Sequence, residues 1–370
     1  LGLAAQYCDR VIIMERGRVV EHGPTAQIFS RPQHVYTRKL LSATPQGHDK
    51  LTDLIPASEL QASGPIRHLS ERAQTREPAK SPVLSVQGLT HDYVLQKSPR
   101  AMSRFMAPWR SRPENIPSSF RAVDDLNFEV HQGECVGLVG ESGSGKTTTS
   151  RLIAKLVKPS AGSIRLHGEE IADADPRSFA RSAERRLIQI VFQDPASSLD
   201  PRRTAFEAIA DPLIHLERLK RSDDLEQRIH NICDLVEFPK GLLSRYPHQL
   251  SGGQKARVGI GRAISVNPAL VVLDEPTSAL DVSVQAVVLN QLDKLKRALG
   301  LSYLFVSHDL NIVRLMCDRV MVMKGGRIVE QATVADLFSR PQHAYTKALL
   351  DAIPRIEFGG EDIGAIPAKS

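Results

Sequence analysis

Residues 134–148 read ECVGLVGESGSGKTT, and TSRLIAKLVK follows. The short apolar run Glu134–Val139 has the character of a buried strand, and the segment after Thr148 has helical periodicity. Between them lies the pattern G-x-x-x-x-G-K-[ST], in the strand–loop–helix setting that gives the pattern its meaning. Three glycines let the backbone curl so that several N–H groups point inward, and the helix N-terminus adds positive potential. Gly140, Glu141, Ser142, Gly143, Ser144, Gly145, Lys146, Thr147 and Thr148 are therefore the candidate nucleotide-binding residues. Lys146 is placed to reach β- and γ-phosphates, and the Thr147 hydroxyl to ligate Mg²⁺. A glycine-rich turn beside a helix would not require the Lys-Thr ending. A phosphate loop alone says only that a nucleoside triphosphate binds, because kinases, GTPases and motor ATPases share it.

A second stretch narrows the chemistry. Residues 269–276 read ALVVLDEP, a continuous apolar run ending in two carboxylates. Such a run fits a strand buried on both faces, and its C-terminal end is where ligands bind in open α/β sheets. Asp274 is then a candidate Mg²⁺ ligand, and Glu275 a candidate catalytic residue that polarises an attacking water. Alone, the pair would equally suit a strand-ending turn with solvated acids. Downstream of a phosphate loop, the catalytic reading is the better one.

Residues 250–254 read LSGGQ and precede the helix-like KARVGIGRAIS. Serine and two glycines at a helix N-terminus suit a γ-phosphate. At this point the chain resembles the ATP-binding subunits of ABC transporters, whose signature this segment is. The resemblance implies a P-loop NTPase fold of the α/β class: a RecA-like parallel-sheet core, an antiparallel β subdomain and a helical subdomain over about 195–265. It implies ATP hydrolysis with Mg²⁺, and a signature formed by Leu250, Ser251, Gly252, Gly253 and Gln254 that contacts the ATP of a partner domain. It also assigns roles to motifs that would be unremarkable by themselves. Gln193, in VFQDP, matches the glutamine that touches Mg²⁺ and the attacking water. Ser278, Ala279, Leu280 and Asp281 match the loop that crosses the dimer interface. His308, in SHD, matches the histidine that contacts the γ-phosphate, and Tyr93 the aromatic residue that stacks on adenine. FQDPASSLDPR (192–202), RYPHQLSGGQ (245–254) and FSRPQHAYT (338–346) are similar to the peptide and nickel importer group. The resemblance implies a peripheral location at the cytoplasmic face of the inner membrane, and as partners two multi-spanning permease subunits, an extracytoplasmic solute-binding protein acting indirectly, and a second ABC ATPase domain. Lys255, Gly259, Gly261 and Gln331-Ala-Thr333 depart from the usual pattern, but none removes a catalytic group. Each glycine is expected to cost its helix roughly 1 kcal/mol relative to alanine.

The chain also repeats part of itself. Residues 8–45 align without a gap on residues 317–354 at an offset of 309, and 22 of the 38 positions are identical. Only the second copy has a body in front of it. The organisation expected is therefore a C-terminal remnant of a first ABC ATPase domain over 1–45 and a linker over 46–82 with a short helix near 51–60. A complete domain over 83–354 and a tail over 355–370 follow. Such a chain is expected to bind ATP weakly and turn over little unless it forms a homodimer or meets the missing first half.

The 370 residues are 41% hydrophobic and 24% charged, an ordinary globular composition. No apolar run approaches the ~18 residues that cross a bilayer, so the chain is not expected to span a membrane by itself. Cys8, Cys135, Cys233 and Cys317 lack metal-ligand spacing and are expected to be reduced, buried thiols. The net charge of +6 is concentrated between Lys97 and Arg121, where six basic residues face Glu114 alone and Trp109 is the only tryptophan. That segment reads as a long solvated hairpin loop, or as a contact for anionic lipid head groups. No nucleic acid partner is expected, because no recognition module accompanies the basic residues. The alternative class is a soluble ABC ATPase acting on ribosomes or nucleic acid. The 128 residues from Lys146 to Asp274 leave no room for the long coiled coil of the DNA-acting types.

Overall fold

The computed structural model describes residues 1–46, 48, 50–54, 82–94, 119–220, 222–353, 357–358 and 361–362. The chain begins with α1 (Gly2–Tyr7), and the first copy of the repeat folds as the hairpin β1 (Arg10–Glu15) and β2 (Arg18–Pro24), then α2 (Thr25–Ser30) and α3 (Val35–Ser42). Arg16 and Gly17 both have positive φ, the geometry of a tight hairpin turn. A single 3₁₀ turn follows at Leu51–Leu54. The rest of the helix expected near 51–60, like the linker to residue 81, lies outside the described residues.

From residue 82 on, the described chain opens with β3 (Leu84–Val94) and β4 (Ser119–Val130), an antiparallel pair in which Val94 faces Ser119. The basic segment between these ends lies outside the described residues. Next come β5 (Cys135–Val139), α4 (Lys146–Ile153), β6 (Ala161–Leu166), the two-residue β7 (Glu169–Glu170), α5 (Pro176–Phe179) and β8 (Ile188–Val191). Three helices follow: α6 (Ala205–Leu216), α7 (Asp223–Leu235) and α8 (Gly252–Ile264). The chain then returns through β9 (Leu270–Asp274), α9 (Val282–Leu299), β10 (Ser302–Val306) and α10 (Leu310–Met316). The second copy of the repeat closes it with β11 (Arg319–Lys324), β12 (Arg327–Thr333), α11 (Val334–Ser339) and α12 (Ala344–Asp351).

Two sheets result. One is antiparallel, in the order β4-β3-β6-β7. The other runs β12-β11-β5-β10-β9-β8, parallel throughout except for the β11–β12 edge. Every residue of β5, β8, β9 and β10 is buried, as their mostly apolar sequences suit strands covered on both faces. The parallel order brings the C-terminal ends of β5, β10, β9 and β8 side by side along one edge, and that edge carries the site.

The two copies of the repeat fold alike. Both hairpins carry an irregularity at the same place, Ile13/Met14 and Val322/Met323. Glu21 accepts hydrogen bonds from the backbone of Gln33 and His34, and Glu330 from that of Gln342 and His343. Their surroundings differ. β11 pairs with β5, which buries Met321 and Met323, whereas their counterparts Ile12 and Met14 are 65% and 56% exposed. The same cause corrects one expectation about the cysteines. Cys135, Cys233 and Cys317 are buried, but Cys8 is exposed, because nothing in the first copy takes the place that β5 holds beside Cys317.

Gly261 has a packing reason absent from the sequence reading. A Cβ there would lie 3.3 Å from Ile232 and 3.5 Å from Ile209, so the bare backbone lets α8 close on α7 and α6. A Cβ at Gly259 would meet open space, which leaves only the propensity cost.

Candidate functional site

The phosphate loop turns from β5 into α4 on glycines that nothing else could replace. Gly140 and Gly145 have φ of 152° and 108°, and Cβ atoms there would stand 2.2 Å from the Met323 carbonyl oxygen and 2.5 Å from that of Ala122. Gly143 is also left-handed, at φ 82°. Lys146 begins α4 and is buried. Its Nζ donates to the carbonyls of Gly140 and Glu141, both at 2.8 Å. Burial pulls its pKa down, while the carboxylates of Glu275, Asp274 and Glu141 oppose that shift. Ser144 Oγ is buried without a hydrogen-bond partner, and Thr147 is exposed beside it.

The second copy of the repeat braces this loop, which sequence reasoning did not anticipate. The Gly326 N–H, in the β11–β12 turn, donates to the Ser144 carbonyl at 2.9 Å. The Glu141 N–H donates to Tyr345 Oη at 3.0 Å, and Lys324 Nζ lies 4.6 Å above the same ring. The only signal for Tyr345 was its recurrence as Tyr36 in the first copy.

Asp274 ends β9 and is 4% exposed, and its Oδ1 has no hydrogen-bond partner. Burial and the neighbouring Glu275 raise its pKa to about 6, against the opposing influence of Arg151, Ser150 and Lys146. An acid whose pKa is raised on folding loses stability as pH rises between the unfolded and folded values, and the loss stays in place above them. Asp274→Asn is therefore expected to raise the melting temperature of nucleotide-free protein at about pH 8, by roughly 1–3 kcal/mol in stability. The difference should vanish below the ordinary carboxylate pKa. Equal melting temperatures at the higher pH would show that the ionised carboxylate is not destabilising.

Glu275 follows with φ 47°, a left-handed conformation that costs a residue with a side chain about 1 kcal/mol. Its N–H donates to the Val306 carbonyl on β10 at 3.0 Å, which fixes the turn. Its Oε2 accepts from Gln193 Nε2 at 3.0 Å and lies 3.1 Å from His308 Nδ1. Gln193 stands just past β8 and His308 just past β10, so the sheet order brings two residues from flanking strand ends to one oxygen of the carboxylate that follows β9. Together they can hold a water-polarising group beside a phosphate cradle. A buried, unpartnered carboxylate oxygen on Asp274 and an exposed threonine hydroxyl at 147 suit a hard divalent cation.

Not every candidate joins this cluster. Ser251 caps α8, accepting from the Gln254 N–H, while Gln254 Oε1 accepts from the Ser251 N–H. Leu250 is buried, and Gly252 and Gly253 let α8 approach Leu280 and Val284, where Cβ atoms would stand 3.4 and 2.6 Å away. The signature thus packs on the 278–281 loop and presents its capped helix end outward. Ser278 Oγ donates to the Glu275 carbonyl, Ala279 is exposed, and Asp281 is the N-terminal cap residue of α9. Tyr93 stands apart on β3, edge-on to the ring of His91 at 4.6 Å.

Comparison with known proteins identifies the family. Residues 123–278 match the ABC transporter family, and residues 20–67 and 329–369 match the oligopeptide/dipeptide transporter C-terminal region. The chain is 46% identical over 242 residues to the oligopeptide transport ATP-binding protein OppF of Lactococcus lactis subsp. lactis, covering 65% of this chain and 75% of that protein. It is 38% identical over 365 residues to the glutathione import ATP-binding protein GsiA of Escherichia coli K12, covering 96% of this chain but 55% of that protein. The fold is similar to the dimeric, post-hydrolysis structure of the ATP-binding cassette MJ0796 bound to ADP and Pi. That likeness has a TM-score of 0.57 and 28% identity, over 68% of this chain and 98% of that one. The chain belongs to the ABC transporter family, as one of its ATP-binding, ATP-hydrolysing proteins.

Proposed function

We propose that this chain hydrolyses ATP to energise uptake of peptides or similar small solutes through partner permease subunits, with Glu275 as the group that activates water. The observation that carries the reading is the meeting of Gln193 and His308 at one Glu275 oxygen, on the sheet edge that also bears the phosphate loop. Loop N–H groups and Lys146 hold the phosphates. Gln193 and His308 orient the carboxylate toward the attacking water, and Tyr93 offers its ring to adenine. Thr147, Asp274 and Gln193 would hold Mg²⁺, whose charge offsets that of the β- and γ-phosphate oxygens. The outward-facing end of α8, with Ser251, Gly252 and Gly253, meets the nucleotide of a second ATPase domain, and the 278–281 loop lies at the junction.

The peptide-type substrate is supported by the two C-terminal region matches and by the names of the relatives. No described helix is long and apolar enough to cross a membrane, which leaves translocation to partners. Tagged chain solubilised from its own membranes is expected to co-purify with two multi-spanning permeases. Recovery with ribosomes and without permeases would replace the importer by the soluble alternative.

A further inference from the structure

We propose that Ala43, His48 and the Leu51–Leu54 turn form a clasp by which the tail leaving one ATPase lobe grips the neighbouring ATPase domain, holding the two together without the covalent linker. Three observations converge on it. Ala43, Leu51 and Leu54 are buried in the large core formed by residues 135–345, Leu51 and Leu54 at 7% and 1% exposure, and none of them belongs to the small core of the first-copy lobe. Asn290, in the middle of α9, is buried as well. Its Nδ2 donates once within the helix to the Ala286 carbonyl at 3.0 Å, and once to the Leu51 carbonyl at 2.8 Å. Arg314 on α10 donates through Nη2 to the His48 carbonyl at 2.9 Å.

The asparagine is the decisive residue. A buried amide proton without a partner is costly, and the second proton of Asn290 finds its partner only in the first-copy tail. The ATPase domain is therefore built with a polar socket for a segment of the preceding lobe's tail. Leu51 and Leu54, three residues apart on a 3₁₀ turn, lie on one side of that turn and enter the same core.

The helices gripped also bear on the site. Asp281, the end of the 278–281 loop, is the N-terminal cap residue of α9, and Asp309, next to His308, is that of α10. The clasp thus seats the preceding lobe on the two helices whose first residues carry the domain-crossing loop and the Glu275 partner. A lobe held there moves with those helices when two ATPase domains open and close.

The test cuts the covalent link in the full chain. A protease recognition sequence is inserted between Gly64 and Pro65, the purified protein is cleaved, and the product is run on gel filtration at micromolar concentration. The N-terminal piece is expected to co-elute with the ATPase domain. Leu51→Asp combined with Leu54→Asp should weaken that association by roughly 100-fold or more, since two leucines leave the core and two charges would enter it. Arg314→Ala, made on the other side of the contact, should weaken it by roughly tenfold through loss of one charge-assisted hydrogen bond. Nucleotide binding by the ATPase domain should be unchanged in both, which separates release from misfolding. Separation of the wild-type pieces on cutting, or their continued association in the double leucine variant, would overturn the proposal.

Discussion

Glu275→Gln is expected to slow ATP hydrolysis by roughly 10²–10⁴-fold and to leave ATP affinity within about twofold. The substitution keeps the side chain's length and planarity, so the turn made by the Glu275 N–H and the Val306 carbonyl is untouched. The amide can still accept from Gln193 through one oxygen, and His308 can still lie beside it. What disappears is the negative charge and the basic lone pair that draws a proton from water. The phosphate contacts assigned to the loop and Lys146 do not pass through this carboxylate, so binding persists. Removing an anion from beside the γ-phosphate also removes a repulsion, so ATP should drive more of the variant into paired ATPase domains than of the native chain. Rates measured over a range of protein concentrations, with gel filtration in ATP, would show both effects. A wild-type rate that persists in the glutamine variant would take Glu275 out of catalysis.

The glycine pattern, the Lys-Thr ending and the acidic pair after an apolar run were all legible in the chain, because each depends on local backbone geometry that a few residues determine. The convergence at Glu275 was not. Gln193, Glu275 and His308 are 82 and 33 residues apart, and only the order β5-β10-β9-β8 makes their strand ends neighbours. The roles of Gln193 and His308 could be inferred only from their place in a family series, never from spacing. The bracing by Tyr345 and Gly326 was hidden for a related reason: each acts through a contact with the Glu141 N–H or the Ser144 carbonyl, and backbone groups leave no residue-type signature. Cys8 shows the reverse limit. Its identity and neighbours match those of Cys317, yet its burial depends on a strand that the first copy lacks. Asn290 illustrates what a buried polar residue can disclose once the fold is known, since its partner lies 239 residues away.

Lys146→Ala is expected to weaken ATP binding by roughly 10²–10³-fold, the equivalent of two charge-assisted hydrogen bonds. The ammonium also donates to the carbonyls of Gly140 and Glu141. Its position is unfavourable for stability in two ways. It is 6% exposed, and burial depresses its pKa. It also opens α4, where the helix dipole disfavours a cation. The fold therefore tolerates this lysine more than it depends on it, and alanine should change the melting temperature by no more than about 5 °C, with the lost hydrogen bonds offset by relief of both penalties. Lys146→Met keeps the length of the stem without the charge and should lose as much affinity as alanine, since the phosphates respond to charge and not to packing. Lys146→Arg should not restore it. The cradle is walled by the Met323 and Ala122 carbonyls at Gly140 and Gly145, and a planar guanidinium is broader than an ammonium. Nucleotide titration and thermal melting of the three variants separate the possibilities. Affinity lost with the melting temperature kept puts the ammonium on the phosphates. Affinity kept in the methionine variant would make Lys146 a brace for the empty loop and nothing more.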